Sequence, residues 1–364
     1  MNITGLDLSD HYIPFKESYG ISSQAFAGET FLIARLHTSG GPDGLADSVN
    51  SVPFGPESPD TMRRAIFDHL LPAVIGCDPR DHVAIAAHME KALPLHPMAK
   101  AIIDIACHDA AARAANKPLY QYLGGAVRRD IPSAGTIGLS TTARMVAEAE
   151  AHVAAGITTL KVKIGSDPAT DLDRLRNIRK VIGPAIKLRV DANQGCTFDE
   201  WHAAFHQMDR LDLEFIEQPL SIHDVPATAR LANELKTPIL IDEGVYTPQD
   251  LTALLDAKAI GAVNIKLLKT GLTGGKEIAR IAHDAGLPIV VGSMFETGIG
   301  TAASIQFAAT LPGDIPATEC GFPAKLEFDV IVSPKFGTTP FLSLSPFEDK
   351  PGLGVGLKPT FQGN

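Results

Sequence analysis

The segments TLKVKIG (159–165), KLRVDAN (187–193), EFIEQPL (214–220), ILIDEGV (239–245) and AVNIKLLK (262–269) determine how this chain is built. Each is a short apolar run that contains β-branched residues, and amphipathic stretches with helical spacing lie between the runs. The runs recur about every 25 residues, which is the length of one strand with one crossover helix. The repeat therefore predicts parallel strands that alternate with helices.

Three similar runs extend the repeat on both sides: SAGTIGL (133–139), PIVVGSM (288–294) and PATEC (316–320). Eight such units are the number that closes a TIM-like barrel. A doubly wound open sheet is the alternative. We favour the barrel because polar residues recur at the carboxyl end of nearly every predicted strand.

The rest of the chain is expected to form a smaller α+β part. Residues 38–60 are rich in Gly, Pro, Ser and Asp and predict turns and loops. Helical patterns follow at about 59–75 and 99–116, and the segment 117–125 stops on a glycine pair. The tail is expected to form short strands and loops that return to the N-terminal part. The predicted division is 1–125 for a capping domain, 126–320 for the barrel and 321–364 for the returning segment.

Composition restricts the class of partner. The chain has 364 residues, a formal net charge of -10 and 45% hydrophobic residues. An acidic surface repels nucleic acid and anionic membranes, and no basic run or membrane-length apolar run reverses this. The four cysteines form no C-x-x-C pair, and no secretory signal is visible. We expect a cytoplasmic protein that acts on a small molecule.

Three carboxylates mark the ends of neighbouring predicted strands: Asp191, Glu217 and Asp242. Parallel barrel strands end at one rim, so these side chains can converge, and hard oxygen ligands of this kind suit Mg²⁺. The alternative is a set of salt-bridged strand ends. A single acid would favour that alternative, but three acids at matched spacing and flanked by lysines do not.

Lysines flank these acids on both sides. Lys161 and Lys163 lie two residues apart on one strand, so both point to the same side. A lysine acts as a base only when its pKa is lowered, and a divalent cation and a second ammonium both lower it. Lys161 would supply that ammonium to Lys163. Lys266 is the candidate on the sixth strand, whereas Lys269 is expected to be a surface residue.

Five motifs together resemble one family. The runs K-V-K (161–163), V-D-A-N-Q-G (190–195), I-E-Q-P (216–219), I-D-E (241–243) and N-I-K-L (264–267) are similar, in order and spacing, to the muconate-lactonizing-enzyme branch of the enolase superfamily. The resemblance covers about residues 130–320 and implies a (β/α)7β barrel under an α+β capping domain. It also implies a homo-oligomer.

The resemblance implies roles for the same residues. Asp191, Glu217 and Asp242 would hold Mg²⁺, for which Mn²⁺ is a possible substitute. Lys163 and Lys266 would act as acid/base groups on opposite faces of a carboxylate substrate. Lys161 and Asn193 would be supporting polar groups.

The chain also departs from its relatives at three points. The mandelate racemase subgroup carries a histidine after strand seven, where this chain has S-M-F-E (293–296), so that subgroup is rejected. Dipeptide epimerases carry Asp-x-Asp at strand eight, where this chain has T-E-C-G-F (318–322), which weakens a dipeptide substrate. The turn G-L-A-D (44–47) replaces a G-x-G-E-like turn of the capping domain, so the capping-loop geometry is an open point.

Substrate contacts are expected from two regions. By analogy, residues 15–27 should form the specificity loop. The run M-F-E-T-G-I-G (294–300) is similar to that of N-succinylamino acid racemases, and its glycines would either admit an anion to backbone N–H groups or simply form a tight turn. The candidate substrate-binding residues are Asn193, Tyr19, Phe26, Ser293, Glu296, Gly298 and Glu319.

Three functions remain open from sequence. The first is a Mg²⁺-dependent isomerase that moves a proton alpha to a carboxylate through an enediolate, as a racemase, an epimerase or a cycloisomerase. The second is a lyase that expels a beta substituent from the same intermediate. The third, a non-catalytic binding barrel, is disfavoured by the intact lysines and acids.

Overall fold

The computed structural model describes residues 1–50, 52 and 55–361. Residues 51, 53 and 54 of the predicted loop and residues 362–364 of the predicted tail lie outside this range. The N-terminal part carries a three-stranded antiparallel sheet in the order β1-β2-β3. Its strands are β1 (Asn2–Gly20), β2 (Ala25–Ser39) and β3 (Gly44–Val49).

Strand β3 corrects the prediction of loops throughout residues 38–60. All six of its residues are buried, and it pairs with β2 from Gly44 to Val49. A Cβ at Gly44 would lie 1.9 Å from the Ala106 carbonyl oxygen. The small residues that suggest a loop are instead needed for a helix to pack closely on the strand.

Five helices follow this sheet in the described chain, and the fourth of them, Pro97–Ala114, packs directly on β2 and β3. They are α1 (Pro59–Arg64), α2 (Leu71–Val74), α3 (His82–Ala92), α4 (Pro97–Ala114) and α5 (Leu119–Tyr122), with a π-helical turn between α1 and α2. The helical patterns at 59–75 and 99–116 are thus confirmed. Helix α3 was not predicted, because only Ile85 and Met89 of its residues are buried and the apolar pattern is weak.

A curved parallel sheet forms the barrel. After the short strand β4 (Asp130–Pro132), its strands are β5 (Gly135–Ile137), β6 (Thr159–Lys163), β7 (Lys187–Asp191), β8 (Leu213–Glu217), β9 (Ile239–Ile241), β10 (Ala262–Ile265) and β11 (Ile289–Val291). Each neighbour in the sheet is also the neighbour in sequence. The helices between them are α6 (Thr142–Ala154), α7 (Pro168–Ile182), α8 (Phe198–Met208), α9 (Val225–Glu234), α10 (Pro248–Asp256), α11 (Leu267–Asp284) and α12 (Gly298–Thr310).

The eighth predicted strand closes the barrel with very few residues. Thr318 bridges Ser133 in parallel, and the Glu319 N–H donates to the Val291 carbonyl at 2.9 Å. Residues 318–319 therefore lie between β11 and β5, as the eighth position of a (β/α)7β barrel requires. The predicted fold class is confirmed, although this last element is too short to form a regular strand.

The C-terminal segment returns across both parts of the molecule. Strand β12 (Phe341–Ser343) pairs with β4. Leu326 bridges Phe15 of the N-terminal sheet. The exact domain boundaries remain predictions. In the described part of the chain, no helix has the length and apolar character needed to cross a bilayer.

Candidate active site at the carboxyl ends of the barrel strands

A cavity lies between the β1–β2 hairpin and the carboxyl ends of the barrel strands. The hairpin contributes Tyr19 and Ile21, and the barrel contributes Lys163, Asn193 and Lys266 among others. Active sites of barrel enzymes lie at this end because the strand termini and their loops meet there. The hairpin thus forms the roof of the site, as expected for residues 15–27.

The hairpin tip packs closely on two barrel glycines. A Cβ at Gly165 would lie 2.8 Å from the Ser22 Cβ, and a Cβ at Gly195 would lie 2.6 Å from it. The Leu139 N–H also donates to the Gly20 carbonyl at 3.0 Å. Glycine at these barrel positions therefore lets the roof come down onto the site.

Strand β6 directs both of its lysines into the barrel. Lys161 and Lys163 are only 3% and 7% exposed. The Lys161 Nζ lies 2.9 Å from Asp191, 2.8 Å from Glu217 and 2.7 Å from Glu319. The Lys163 Nζ donates to Asp191 at 2.7 Å and to the Asn193 Oδ1 at 2.6 Å. The two lysines point to the same side, as predicted, and that side is the barrel interior.

The three predicted metal ligands stand side by side on β7, β8 and the end of β9. Asp191 pairs in register with Glu217, and Glu217 pairs with Leu240, two residues before Asp242. All three carboxylates are buried. On the far side, Lys266 forms an ion pair with Asp242.

Lys269 corrects the expectation of a surface lysine. Its side chain is 2% exposed, and its Nζ donates to the Asp242 Oδ1 at 2.7 Å and to the Asp242 carbonyl at 2.6 Å. It lies in the first turn of α11, before the backbone leaves helical geometry at Gly271. That turn points inward, so a fourth ammonium joins the cluster.

The pKa values follow from burial and these contacts. Burial raises the pKa of each carboxyl, but Lys161 and Lys163 bring the pKa of Asp191 below its usual range. Lys266 and Lys269 do the same for the pKa of Asp242. At Glu217, burial and the charge of Asp191 raise the pKa. Burial is the largest single influence on Lys266 and lowers its pKa, but Asp242, Glu217 and Glu243 together outweigh it and the net pKa shift is upward.

The donor set fits a divalent metal ion. The Glu217 Oε2 is buried and has no hydrogen-bond partner among the described residues, although its carboxylate lies between two others. A buried carboxylate oxygen without a partner is costly, and a cation would satisfy it. Lysine ammonium groups now bind oxygens of all three acids. A divalent ion would compete with these groups for the same oxygens.

Strained backbone supports the acids. Asn193, Gln194 and Gln218 adopt positive φ values of 42°, 65° and 32°. The Gln218 Oε1 accepts hydrogen bonds from the N–H groups of Asp242 and Gly244 at 3.1 and 3.0 Å. Conformations of this kind persist where surrounding contacts enforce them, commonly at functional sites. Gln218 thus orients the loop that carries Asp242, a role the sequence did not reveal.

A second layer of polar residues lies deeper in the barrel. The Asn264 Nδ2 donates to the Glu217 Oε1 at 3.0 Å. The fully buried Arg189 lies 3.6 Å from the Glu319 carboxylate. Both residues precede a predicted site residue by two positions on their strands, so the alternation of strand side chains carried a signal that could have found them.

The predicted substrate contacts divide into two groups. Asn193, Tyr19, Ser293 and Glu319 line the cavity. Phe26 packs against Phe295, which lines the cavity itself. The structure does not bring Phe26, Glu296 and Gly298 to the cavity surface. Phe322 and Lys325, which line it, were not predicted.

Glu296 and Gly298 instead belong to a buried junction at the start of α12. The Gly298 N–H donates to Asp329 at 3.0 Å, so a protein carboxylate takes the place of the expected substrate anion. Asp47, which lies on β3 in the G-L-A-D run, accepts from the Thr297 N–H at 2.8 Å and from the Thr297 hydroxyl at 2.6 Å. The departure at residues 44–47 thus joins β3 to the barrel.

This junction predicts a pH-dependent stability. Burial raises the pKa of Asp47 to about 7, and burial together with Asp47 raises that of Glu296 to about 8. The folded state therefore keeps protons that the unfolded chain loses near pH 4. The stability they contribute is complete below that pH and is lost as the pH rises through 7 to 8. We expect the free energy of unfolding to fall by on the order of 2 kcal/mol from pH 6 to pH 8 through Glu296.

Denaturant unfolding at several pH values tests this prediction. Glu296→Gln should flatten the profile and be more stable than the original chain above pH 8. The exposed acid Glu277, replaced by Gln, is the control and should leave the profile unchanged. An unchanged pH profile in Glu296→Gln would contradict the prediction.

Two family models match the chain. The model for the mandelate racemase / muconate lactonizing enzyme N-terminal domain matches residues 8–124, and the enolase C-terminal domain-like model matches residues 144–361. The second alone covers more than half of the chain.

Three curated relatives match over most of their length. L-Ala-D/L-Glu epimerase of Bacillus subtilis is 32% identical over 98% of this chain and 97% of its own. N-succinyl-L-Arg/Lys racemase of Bacillus cereus is 29% identical over 98% of this chain and 96% of its own. Chloromuconate cycloisomerase of Cupriavidus necator is 32% identical over 86% and 85%.

Solved structures agree with these relatives. A dipeptide epimerase from Enterococcus faecalis, complexed with Mg and the dipeptide L-Leu-L-Tyr, has a TM-score of 0.91 at 28% identity and covers 98% of this chain and 100% of its own. A muconate lactonizing enzyme complexed with muconolactone has a TM-score of 0.92 at 28% identity, over 99% and 98%. This chain is an isomerase that belongs to the mandelate racemase / muconate lactonizing enzyme family of the enolase superfamily.

Proposed function

We propose that this protein is a Mg²⁺-dependent isomerase that removes or delivers a proton alpha to a substrate carboxylate, as a racemase, an epimerase or a cycloisomerase. One observation carries the proposal: two buried lysines face one cavity from opposite walls of the barrel, with three carboxylates between them. Lys163 ends β6 and Lys266 follows β10. These strands are four positions apart in an eight-position barrel, and both lysines line the same cavity.

Each lysine would handle a proton at its Nζ. A substrate between the opposite walls presents one face of its alpha carbon to Lys163 and the other face to Lys266. One lysine takes the proton and the other returns one, which inverts the carbon. Asp191 and Asn193 hold the Lys163 Nζ by hydrogen bonds, and Asp242 holds that of Lys266. These contacts keep both amines aimed into the cavity.

Asp191, Glu217 and Asp242 would hold the Mg²⁺ ion, and Mn²⁺ is a possible substitute. When bound, the ion would supply positive charge that stabilises the negative charge developing on the substrate carboxylate. The Mg-bound dipeptide epimerase among the structural neighbours supports a divalent ion. Lys161, which contacts two of the three ligands, would keep them in place.

Proton exchange in D₂O tests the proposal. Pools of N-acyl amino acids, dipeptides, betaines and muconates are incubated with the protein and Mg²⁺, and the alpha-proton signal is followed by NMR. If the alpha-proton signal disappears only when Mg²⁺ is present, the proposal is supported, and the pool in which this happens identifies the substrate class. A stereoisomer or lactone as product identifies an isomerase. An unsaturated or keto product would instead identify a lyase, and an absence of both exchange and Mg²⁺ binding would refute catalysis.

Lys325 favours a substrate with a second acidic group. It lines the cavity, and its Nζ lies 4.6 Å above the Tyr19 ring and 3.8 Å from Glu148. Among the described residues, its Nζ donates one hydrogen bond, to the Thr136 carbonyl at 3.2 Å. The ammonium is thus only partly compensated, whereas Glu319 is already paired with Lys161 at 2.7 Å and is poorly placed to receive a free amino group.

Lys325→Gln is therefore expected to raise KM about 10- to 100-fold for substrates with a distal carboxylate, the range of a charge-assisted hydrogen bond. KM for neutral analogues should change little. Steady-state kinetics on the N-succinyl and N-acetyl forms of one amino acid measure this difference in KM. Lys325→Arg, which keeps the positive charge, should retain part of the preference for the N-succinyl form. Lys16→Gln, an exposed lysine nearby, is the matched control. Equal losses on both substrates would contradict this role.

A further inference from the structure

Two histidines and a glutamate meet on the outer surface of the barrel, away from the cavity. His202 and His206 lie one turn apart on α8, and Glu234 is the last residue of α9. One ligand atom from each lies within 4.8 Å of the other two. Among the described residues, these three are the group of His, Cys, Asp or Glu side chains whose ligand atoms lie this close together. None of the three lines the catalytic cavity.

The distances resemble the edges of a tetrahedron around a transition metal. Metal–nitrogen and metal–oxygen bonds near 2.0–2.1 Å place tetrahedral ligands roughly 3.3–3.4 Å apart. The Nε2 atoms of His202 and His206 are 3.3 Å apart, and the His206 Nε2 lies 3.4 Å from the Glu234 Oε2. The third edge, from the His202 Nε2 to the Glu234 Oε2, is 2.5 Å. It is a hydrogen bond that a modest rotation of the half-exposed side chains would open.

No placement of protons on the two imidazoles makes all three contacts among the His202 Nε2, the His206 Nε2 and the Glu234 Oε2 favourable. If both Nε2 atoms carry a proton, both donate to Glu234 but face each other at 3.3 Å as two donors. If His202 alone carries one, the lone pair of His206 faces the carboxylate at 3.4 Å. A cation between the three atoms would turn each repulsive contact into a bond.

The surroundings of Glu234 favour the same conclusion. Arg230 binds its Oε1 at 2.8 Å, which leaves Oε2 for the histidines. A carboxylate at a helix C-terminus meets the negative end of the helix dipole, an unfavourable position that a divalent cation would compensate. Partial exposure of all three side chains leaves the site open to an ion from solvent.

We propose that His202, His206 and Glu234 form a second metal site, for Zn²⁺ or a similar transition metal, that ties α8 to α9. Two imidazoles and one carboxylate suit Zn²⁺, Ni²⁺ or Cu²⁺, whereas Mg²⁺ prefers oxygen ligands. Water would occupy the fourth position. The site is independent of the catalytic cluster, and its role is to stabilise the fold.

Titration of the metal-free, full-length protein with ZnCl₂ in millimolar Mg²⁺ tests the site by calorimetry. The Mg²⁺ is added to compete for the proposed oxygen ligands in the cavity, so we expect one tight equivalent of Zn²⁺ at the histidine site and a rise in Tm. The His202→Ala/His206→Ala double variant should lose this equivalent, and Glu234→Gln should weaken binding at least about tenfold. His283→Ala, which removes an isolated exposed histidine on α11, is the matched control and should bind normally.

Co²⁺ provides a second readout that does not depend on stability. A four-coordinate nitrogen and oxygen site gives intense visible absorption, whereas a six-coordinate all-oxygen site absorbs only faintly. The wild type should show the intense bands and the double variant should lose them, with far-UV circular dichroism checking that it is folded. Equal Zn²⁺ affinity in wild type and folded double variant, or only faint Co²⁺ absorption in the wild type, would overturn the proposal.

Discussion

Lys163→Ala and Lys266→Ala are each expected to reduce the rate of substrate inversion at least about 10³-fold. The two variants should differ in which stereoisomer of the substrate still exchanges its alpha proton. Proton transfer by a positioned side chain contributes about 10²–10⁴-fold to rate. Each variant retains the lysine on the other wall. It should therefore still exchange the alpha proton of the one stereoisomer that presents its proton to the remaining lysine, without inverting it.

The measurement is proton NMR in D₂O on each pure stereoisomer. The two variants should exchange opposite stereoisomers, because β6 and β10 lie across the barrel from each other. Lys187→Ala is the matched control, since Lys187 begins β7 at the opposite end from Asp191 and its side chain is 62% exposed. Full inversion by either alanine variant would show that the lysine on that strand is not an acid/base group.

Glu217→Gln is expected to change activity and stability in opposite directions. Loss of one of three anionic ligands should weaken Mg²⁺ binding and reduce turnover by about 10²–10⁴-fold, equivalent to several kcal/mol of transition-state stabilisation. Without Mg²⁺, however, the variant should be at least as stable as the original chain. Glu217 is fully buried beside Asp191 and Glu319, and burial and these acids raise its pKa despite the ion pair with Lys161, so a neutral amide of the same shape is favoured at this position.

Calorimetric titration with Mg²⁺ and thermal unfolding with and without the ion separate these effects. The original chain should gain Tm as Mg²⁺ is added, because an ion that binds only the folded state stabilises it. Glu217→Gln should not gain. Glu277→Gln, an exposed acid on α11, should behave like the original chain. Unchanged Mg²⁺ affinity in Glu217→Gln would remove this residue from the ligand set.

Features that depend on neighbours along the chain could be predicted. The spacing of the apolar runs predicted the barrel, and the period of two placed Lys161 and Lys163 on one face. The acids Asp191, Glu217 and Asp242 lie at strand ends. Parallel pairing brings all strand ends to one rim, so their proximity follows from the fold class alone.

Other features depend on which distant side chains pack together. The sequence around Lys269 predicted a surface lysine, but the first turn of α11 directs its side chain to Asp242. The sequence around Gly298 was compatible with anion binding by its backbone N–H, but that N–H donates its hydrogen bond to Asp329 of the returning segment. Glu296 follows a barrel strand, yet burial in the junction near Asp47 removes it from the cavity.

The proposed surface metal site combines both kinds of information. The four-residue spacing of His202 and His206 is visible in the sequence and places both on one helix face. Glu234 lies 28 residues after His206, at the end of the helix that follows the next strand, and its contact with the histidines exists because the fold brings the end of α9 close to α8. Local periods are set by backbone geometry, which every residue shares. Contacts between distant residues depend on the packing of particular side chains, which no local pattern records.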